Sequence, residues 1–369
     1  MELVHIFFAF TAGSLYLLSF LFLMNVPGVN EKANRWLGFF YCLLACTFTQ
    51  LFIEAFGLGD RFPFVIHLLE LPRWALLPCF YLAILYFVNP AKKSNVIFLH
   101  FLPVTLFFLF SITYIIPQHF NPTRTMPEFS TVIPLFIRHF FLFQFFLYWF
   151  LCFAQLHIHA RNIRMISSSI EKIDLTWIKY VLFIVLFLQV IHLASGFEMF
   201  STFFPVIYFV SVVFLSYFSL KQAVIYPVLP AQLPELEIVL GKKATYERLT
   251  PEQVDTLKTD VIRYIKTEKP YLEPGLTLPL LSEKIGISAH ELSYVLNNGL
   301  SKNFYQFINE MRVEEVKHLL ASGQAKHLDM FGVAAHAGFN SKTTFNTTFK
   351  KVTGQTPTEF VKSLNEPPS

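Results

Sequence analysis

Lys342, Thr343, Thr344, Asn346, Thr347, Lys350 and Lys351 are side chains of the types that meet nucleic acid, and they crowd into ten residues of the chain. Hydroxyl and amide groups hydrogen-bond base edges in a major groove, while ammonium groups neutralise phosphates. Phe345 and Phe349 interrupt the set at an i,i+4 spacing. A helix would therefore turn both rings to one side and leave the polar groups on the others. Ser341 suits the N-cap of that helix and Gly354 its end. On this reading Thr343, Asn346 and Thr347 face bases, and the three lysines face phosphates. An amphipathic surface helix without a ligand would show the same pattern.

A second polar group lies upstream at Ser288, His290, Glu291, Ser293, Tyr294 and Asn297. Ser288 and Glu291 have the spacing of a capping box that starts a helix running through Asn297. His290, Glu291, Tyr294 and Asn297 are its groove-facing candidates, with Ser293 beside them. Glu291 has an alternative role as the cap alone, since a carboxylate near phosphate is unfavourable unless it accepts from cytosine N4.

A third group is ionisable and set in apolar sequence: Glu54, Glu70, Arg73, Arg138 and His192. Charge in hydrocarbon is costly, so each residue needs a partner, a water-filled cavity or a function. A ligand or sensor pocket is one reading. Structural pairing is the other, with Glu70 and Arg73 at i,i+3 and the remaining side chains reaching for the interface. No metal or other cofactor is expected, because no His or acidic set recurs at zinc spacing. Catalysis is not expected either. His192 and Ser195 are close in sequence, but no third group completes a hydrolytic set.

The elements that would carry these groups follow from composition. The chain has 369 residues, of which 54% are hydrophobic, and a formal charge of +4. The apolar surplus falls before residue 222 in runs close to the roughly 20 residues that cross a bilayer. Seven spans are expected: Leu3 to Leu23, Trp36 to Phe56, Phe64 to Val88, Val96 to Ile116, Val132 to Leu156, Ile178 to Ala194, and Phe203 to Leu220. The first lacks the basic flank and cleavage site of a secretory signal and reads as retained. Cys42, Cys46, Cys79 and Cys152 all lie inside these runs and suggest apolar packing rather than a disulfide framework.

Lys32 and Arg35, Lys92 and Lys93, and Arg161, Arg164 and Lys172 occupy alternate loops, while the other loops hold little beyond Arg61 and Arg124. The positive-inside rule makes the richer set cytoplasmic, which puts the N-terminus outside and the C-terminal region inside. Glu54, Glu70, Arg73, Arg138 and His192 then share the outer half of the membrane. From Glu235 onward sixteen Lys and Arg balance sixteen Asp and Glu, so DNA affinity there would rest on local clusters or on a homodimer.

Prolines in AVIYPVLPAQLPELE mark residues 223–249 as a linker between the membrane domain, 1–222, and the more polar C-terminal region. Thr250, Pro251 and Gln253 then start an amphipathic helix over 250–270 whose stripe is Val254, Leu257, Val261, Ile262 and Ile265. It would pack on the next domain or on a second copy. Over 271–365, Leu278, Leu281 and Ile285 form a short helix, Gly286 permits a turn, and the Ser288 helix comes next. A longer helix from Asn303 to Ala321 separates this unit from another short helix, Asp329 to Ala337, that leads through Gly338 into the lysine-bearing helix. Each short pair has the outline of a helix-turn-helix.

Val333, Ala334, Gly338, Phe339, Ser341, Phe345, Phe349, Lys350, Lys351, Gly354, Thr356 and Pro357 match the signature positions of the AraC/XylS transcription regulators, and the chain from Leu276 to Lys362 resembles that family. Leu281, Ser288, Leu292, Ser293, Phe304, Ile308, Arg312 and Leu320 match more sparsely. The resemblance implies two helix-turn-helix units whose recognition helices enter successive major grooves of double-stranded DNA. Many members carry Arg where this chain has Tyr294, and Arg at the place of Thr347 or Thr348, which implies fewer phosphate or guanine contacts.

The expected fold class is all-α: seven transmembrane helices in the lipid bilayer, then a cytoplasmic double helix-turn-helix domain. The expected function is a bacterial inner-membrane transcription regulator that couples an envelope signal or small molecule to DNA binding. Its alternatives are a passively anchored regulator released by proteolysis in the linker, and a transporter or membrane enzyme with a regulatory tail. Transport is disfavoured by the absence of an internal repeat of the spans.

Overall fold

The computed structural model describes residues 2–89, 97–117, 132–171, 173–194, 204–222, 249–322 and 328–365. Among these residues the regular structure is helical, with an isolated antiparallel bridge between Ser167 and Thr277. The chain divides into two compact units, Met1–Ile158 with Leu175–Ile225, and His159–Asp174 with Tyr226–Ser369. The division is therefore not one cut in sequence. A segment expected in the membrane domain, His159–Asp174, belongs to the C-terminal unit.

The first unit holds α1 (Glu2–Leu23), α2 (Glu31–Ala55), α3 (Pro63–Glu70), α4 (Arg73–Val88) and α5 (Leu102–Phe110, between a 3-10 turn and a π-helical turn). It also holds most of α6 (Val132–Ile166), and α7 (Thr176–Ala194) and α8 (Phe204–Lys221). Among the described residues, five stretches are long and apolar enough to cross a membrane: His5–Leu23, Glu31–Ala55, Pro63–Val88, Ile97–Ile115 and Leu135–Ile166. α7 and α8 fall where two further spans are expected, and their apolar stretches, Thr176–Phe187 and Pro205–Lys221, are shorter. The third span is interrupted at Leu71 and Pro72, where proline has no N–H for the helix ladder. α6 runs past the expected end at Leu156 to Ile166. Apolarity stops there, but the backbone ladder does not require it.

Packing in this unit is aromatic and close, with polar groups stitching the helices together. The Ser19 hydroxyl donates to the Gly38 carbonyl at 2.9 Å, linking α1 to α2. Tyr41 donates to Ser219 Oγ at 3.0 Å, linking α2 to α8. Gln144 reaches the Trp74 carbonyl at 3.0 Å, and Trp149 the Leu182 carbonyl at 3.0 Å, so α6 is tied to both α4 and α7. In an apolar surround such bonds leave few polar groups exposed to hydrocarbon.

The C-terminal unit contains α9 (Pro251–Glu268), α10 (Leu278–Ile285), α11 (Ala289–Tyr294), α12 (Phe304–Ala321), α13 (Met330–His336), α14 (Lys342–Thr353) and α15 (Pro357–Asn365). The Thr250–Gln253 and Ser288–Glu291 capping boxes are both formed. Two cores result. The first joins Val261 and Ile265 of α9 to Leu278, Leu281, Leu292, Leu296, Phe304 and Ile308, so the α9 stripe packs on the domain that comes after it. The second joins Val313 and Val316 of α12 to Val333, Ala334, Phe339, Phe345 and Phe349. α12 contributes to both and so spaces the two units. The linker lies outside the described residues.

Candidate nucleic-acid interface

α14 is built from its caps inward. Ser341 Oγ accepts the Thr344 N–H at 3.3 Å, and Gly354 ends the helix in the left-handed region at φ 78°. Phe345 and Phe349 are fully buried, with rings 5.6 Å apart, and Phe360 of α15 closes on Phe349 at 5.4 Å. Burying each ring contributes about 2–3 kcal/mol, which fixes the rotation of the helix about its axis. Lys342, Thr343, Asn346, Thr347, Lys350 and Lys351 are consequently exposed. Thr343, Asn346, Thr347 and Lys350 stand at i, i+3, i+4 and i+7 and form one continuous face.

Thr344 departs from this set. It is half-buried, and its hydroxyl donates to Glu171 Oε1, away from the exposed face. Thr348 is also half-buried, one turn along on the same side. Both flank Tyr305, whose pKa is raised by burial, with the two threonine hydroxyls opposing and Glu171 reinforcing the shift. Of Thr347 and Thr348, the two candidates for the place of the expected arginine, Thr347 is thus the outward one.

The turn before α14 depends on Gly338. Its φ is 93°, and a Cβ there would lie 2.4 Å from the Tyr271 carbonyl oxygen and 3.0 Å from Arg312 Nε. Only glycine fits both the conformation and the space. Arg312 itself is 1% exposed, and the Glu171 carboxylate lies near enough to favour its charge. Its guanidinium donates to the carbonyls of Tyr271 and Glu273, both at 2.8 Å, to Asn309 Oδ1 at 3.1 Å, and to Ser168 Oγ at 3.1 Å. It also lies over the Phe339 ring at 5.8 Å. Burial pulls its pKa down to about 10, so it remains charged at neutral pH. One side chain therefore fastens the spacer helix to the entry of the first unit and to the turn of the second.

In the first unit Gly286 makes the turn at φ 82°, in open space. Ser288 caps α11, and the Glu291 carboxylate accepts the Ser288 N–H at 2.8 Å and its hydroxyl at 2.7 Å. Glu291 is thus occupied as a cap. α11 is shorter than expected and continues as a π-helical turn, Val295–Gly299. Ser293 is buried at 7% exposure, and Asn297, which is exposed, donates to its carbonyl at 2.8 Å. His290 and Tyr294 are half-exposed with ring centroids 6.5 Å apart. His290 and Tyr294 on α11 and Asn297 on the turn after it are therefore left at the surface, and Ser293 is turned inward.

A helix-turn-helix domain family matches residues 281–363. The matched residues contain α11 and α14, and the match supports an AraC-type DNA-binding domain. No curated protein and no solved structure matches the chain.

The matched domain takes in the polar groups of α11 and α14 but not those of the N-terminal apolar helices. Glu54 accepts from Gln50 at 2.8 Å within α2. Glu70 lies 3.5 Å from His67 in α3, so its neighbour is that histidine and not Arg73. Arg138 is exposed on α6. No hydrogen bond or ion pair joins any two of Glu54, Glu70, Arg73 and Arg138 among the described residues. The side chain of His192 lies outside the described set. Sequence reasoning did not single out Ser168, Glu171 or Tyr305. The signal for Ser168 and Glu171 is a run of three serines and an acid in a basic loop, which composition alone reads as solvated, and Tyr305 stands among the apolar positions of α12.

Proposed function

We propose that the chain is a membrane-embedded transcription regulator that binds specific double-stranded DNA through α11 and α14. The observation that carries the reading is the exposed face Thr343, Asn346, Thr347 and Lys350, held outward by Phe345 and Phe349 inside a matched helix-turn-helix domain. Base edges would meet the threonines and Asn346, and phosphates would meet Lys342, Lys350 and Lys351. With so few cations, affinity would be modest for one copy and would favour a homodimer on paired half-sites.

The positive loops and the apolar helices support a topology with the DNA-binding domain in the cytoplasm of a bacterium and the N-terminus outside. In this reading an envelope or small-molecule signal acts through the membrane half, with Glu54, Glu70, Arg73, Arg138 and His192 as the residues to test. Mapping the sites bound across a genome by the full-length protein is the decisive experiment, and a reproducible motif is expected. The absence of any motif would remove the proposal.

A further inference from the structure

We infer that Ser167–Glu171, the segment between α6 and α7, is a reversible latch docked on the AraC-type domain, and that its release raises DNA affinity. The inference rests on the DNA-binding reading and adds its regulation. The segment touches the start of α10, the spacer helix α12 and the recognition helix α14. Ser167 bridges to Thr277, the N-cap of α10. The Ser168 N–H and hydroxyl both reach the Leu276 carbonyl, at 3.2 and 2.7 Å, and the Ser169 hydroxyl reaches the Pro274 carbonyl at 2.6 Å. On α12, Asn309 donates to the Ser168 carbonyl at 3.0 Å and Arg312 to its hydroxyl at 3.1 Å. On α14, Thr344 donates to Glu171.

Two features make this a latch and not a piece of permanent core. Ser168 is fully buried, yet the α12 side chains it serves keep other partners without it. Arg312 retains the carbonyls of Tyr271 and Glu273, and Asn309 Nδ2 retains the Tyr305 carbonyl at 2.9 Å. Leaving therefore orphans neither α12 side chain, and the Leu276 carbonyl, which gives up both Ser168 donors, is uncovered to water by the same departure, so the penalty for an unpaired buried group is limited. The three serines also dock by hydrogen bonds and bring little apolar area.

The second feature is charge. Glu171 sits on Thr344, on the side of α14 turned from its exposed face, so docking keeps one carboxylate within about a helix diameter of bound phosphates. Repulsion of one charge through mostly aqueous surroundings changes affinity by about two- to fourfold. Chain connectivity supplies the lever. The segment continues directly into α6 on one side and, through Leu175, into α7 on the other. A shift in either helix pulls on it.

The test uses the full-length protein in lipid nanodiscs and a DNA duplex carrying the mapped motif, read by fluorescence anisotropy. Glu171→Gln, which keeps an acceptor for Thr344 and loses the charge, is expected to bind about two- to fourfold more tightly. A Ser167→Cys/Thr277→Cys pair places cysteines at bridge partners, where an antiparallel pair has suitable spacing for a disulfide. Oxidised, it is expected to bind at least about threefold more weakly than the same protein reduced, because the docked form is held. The parent protein with its native cysteines, taken through the same oxidation, should not change. Equal binding by the oxidised and reduced forms overturns the latch and leaves DNA recognition standing. Failure of every form to prefer the motif overturns the DNA-binding reading and the latch with it.

Discussion

Replacing Gly338 with alanine isolates the contact that joins the two helix-turn-helix units. The left-handed backbone, φ 93°, costs a non-glycine residue about 1 kcal/mol. The added Cβ would also lie 2.4 Å from the Tyr271 oxygen, a distance that backbone atoms cannot absorb. That oxygen must retreat, which breaks its 2.8 Å bond from Arg312 Nε. Loss of a hydrogen bond to a buried charged group costs about 1.5–3 kcal/mol. The two effects together predict about 2.5–4 kcal/mol of destabilisation, localised to α12, α13 and α14. Gly286→Ala is the internal control, since its φ is 82° but no atom lies within 4 Å of the added carbon. It should cost only about 1 kcal/mol. Urea titration read by hydrogen exchange over α12 and α14, on the solubilised full-length protein, measures both. Equal effects of the two substitutions would refute the steric argument, since the backbone contribution is shared and the contact is not.

Lys350→Ala should weaken binding to all sequences alike and reduce the dependence of log affinity on log salt by about one unit, measured by anisotropy. Asn346→Ala should instead relax the preference at one base position, by about 1–3 kcal/mol, in a competition assay over motif variants. Glu359 accepts the Thr356 N–H at 2.7 Å, and this backbone bond, then the Thr356 side chain, lowers its pKa. Its lowered pKa means that the cap stabilises α15 above the unfolded carboxylate value of about 4.3 and loses that effect as pH falls through the folded value. Glu359→Gln should therefore fray α15 at neutral pH and match the parent only once the pH has fallen below the lowered folded value, seen in exchange rates of that helix. In the membrane half, Glu70→Gln and Arg73→Gln variants that insert normally should lose the response to an inducing signal, read from a promoter fusion. An unchanged response would remove these residues from the signalling path.

The interface was more legible than its control because the two depend on different information. Phe345, Phe349, Ser341 and Gly354 act within one helix, and local spacing alone identifies the caps and the buried stripe. The same holds for Ser288 with Glu291 and for Thr250 with Gln253, whose partners lie three residues apart. Long-range placement obeys other rules. Ser168 meets Arg312 across more than a hundred residues, and no periodicity in either segment announces the other. Ser293 and Thr344 look outward by residue type, yet the phase of their helices turns Ser293 into the core and Thr344 toward Tyr305 and Glu171. The extent of α6 was hidden similarly, because hydropathy reports where lipid contact should end and the hydrogen-bond ladder goes on for ten residues more. That extension ends at Ile166, immediately before Ser167, and so delivers the serine run directly to the AraC-type domain. A helix ending with its apolar stretch would instead have left a longer, slacker connection. Positional change is lost in slack chain and conserved in a helix. Lengthening or softening the polar turns between Leu156 and Ile166 should therefore weaken control of DNA binding while leaving binding itself intact.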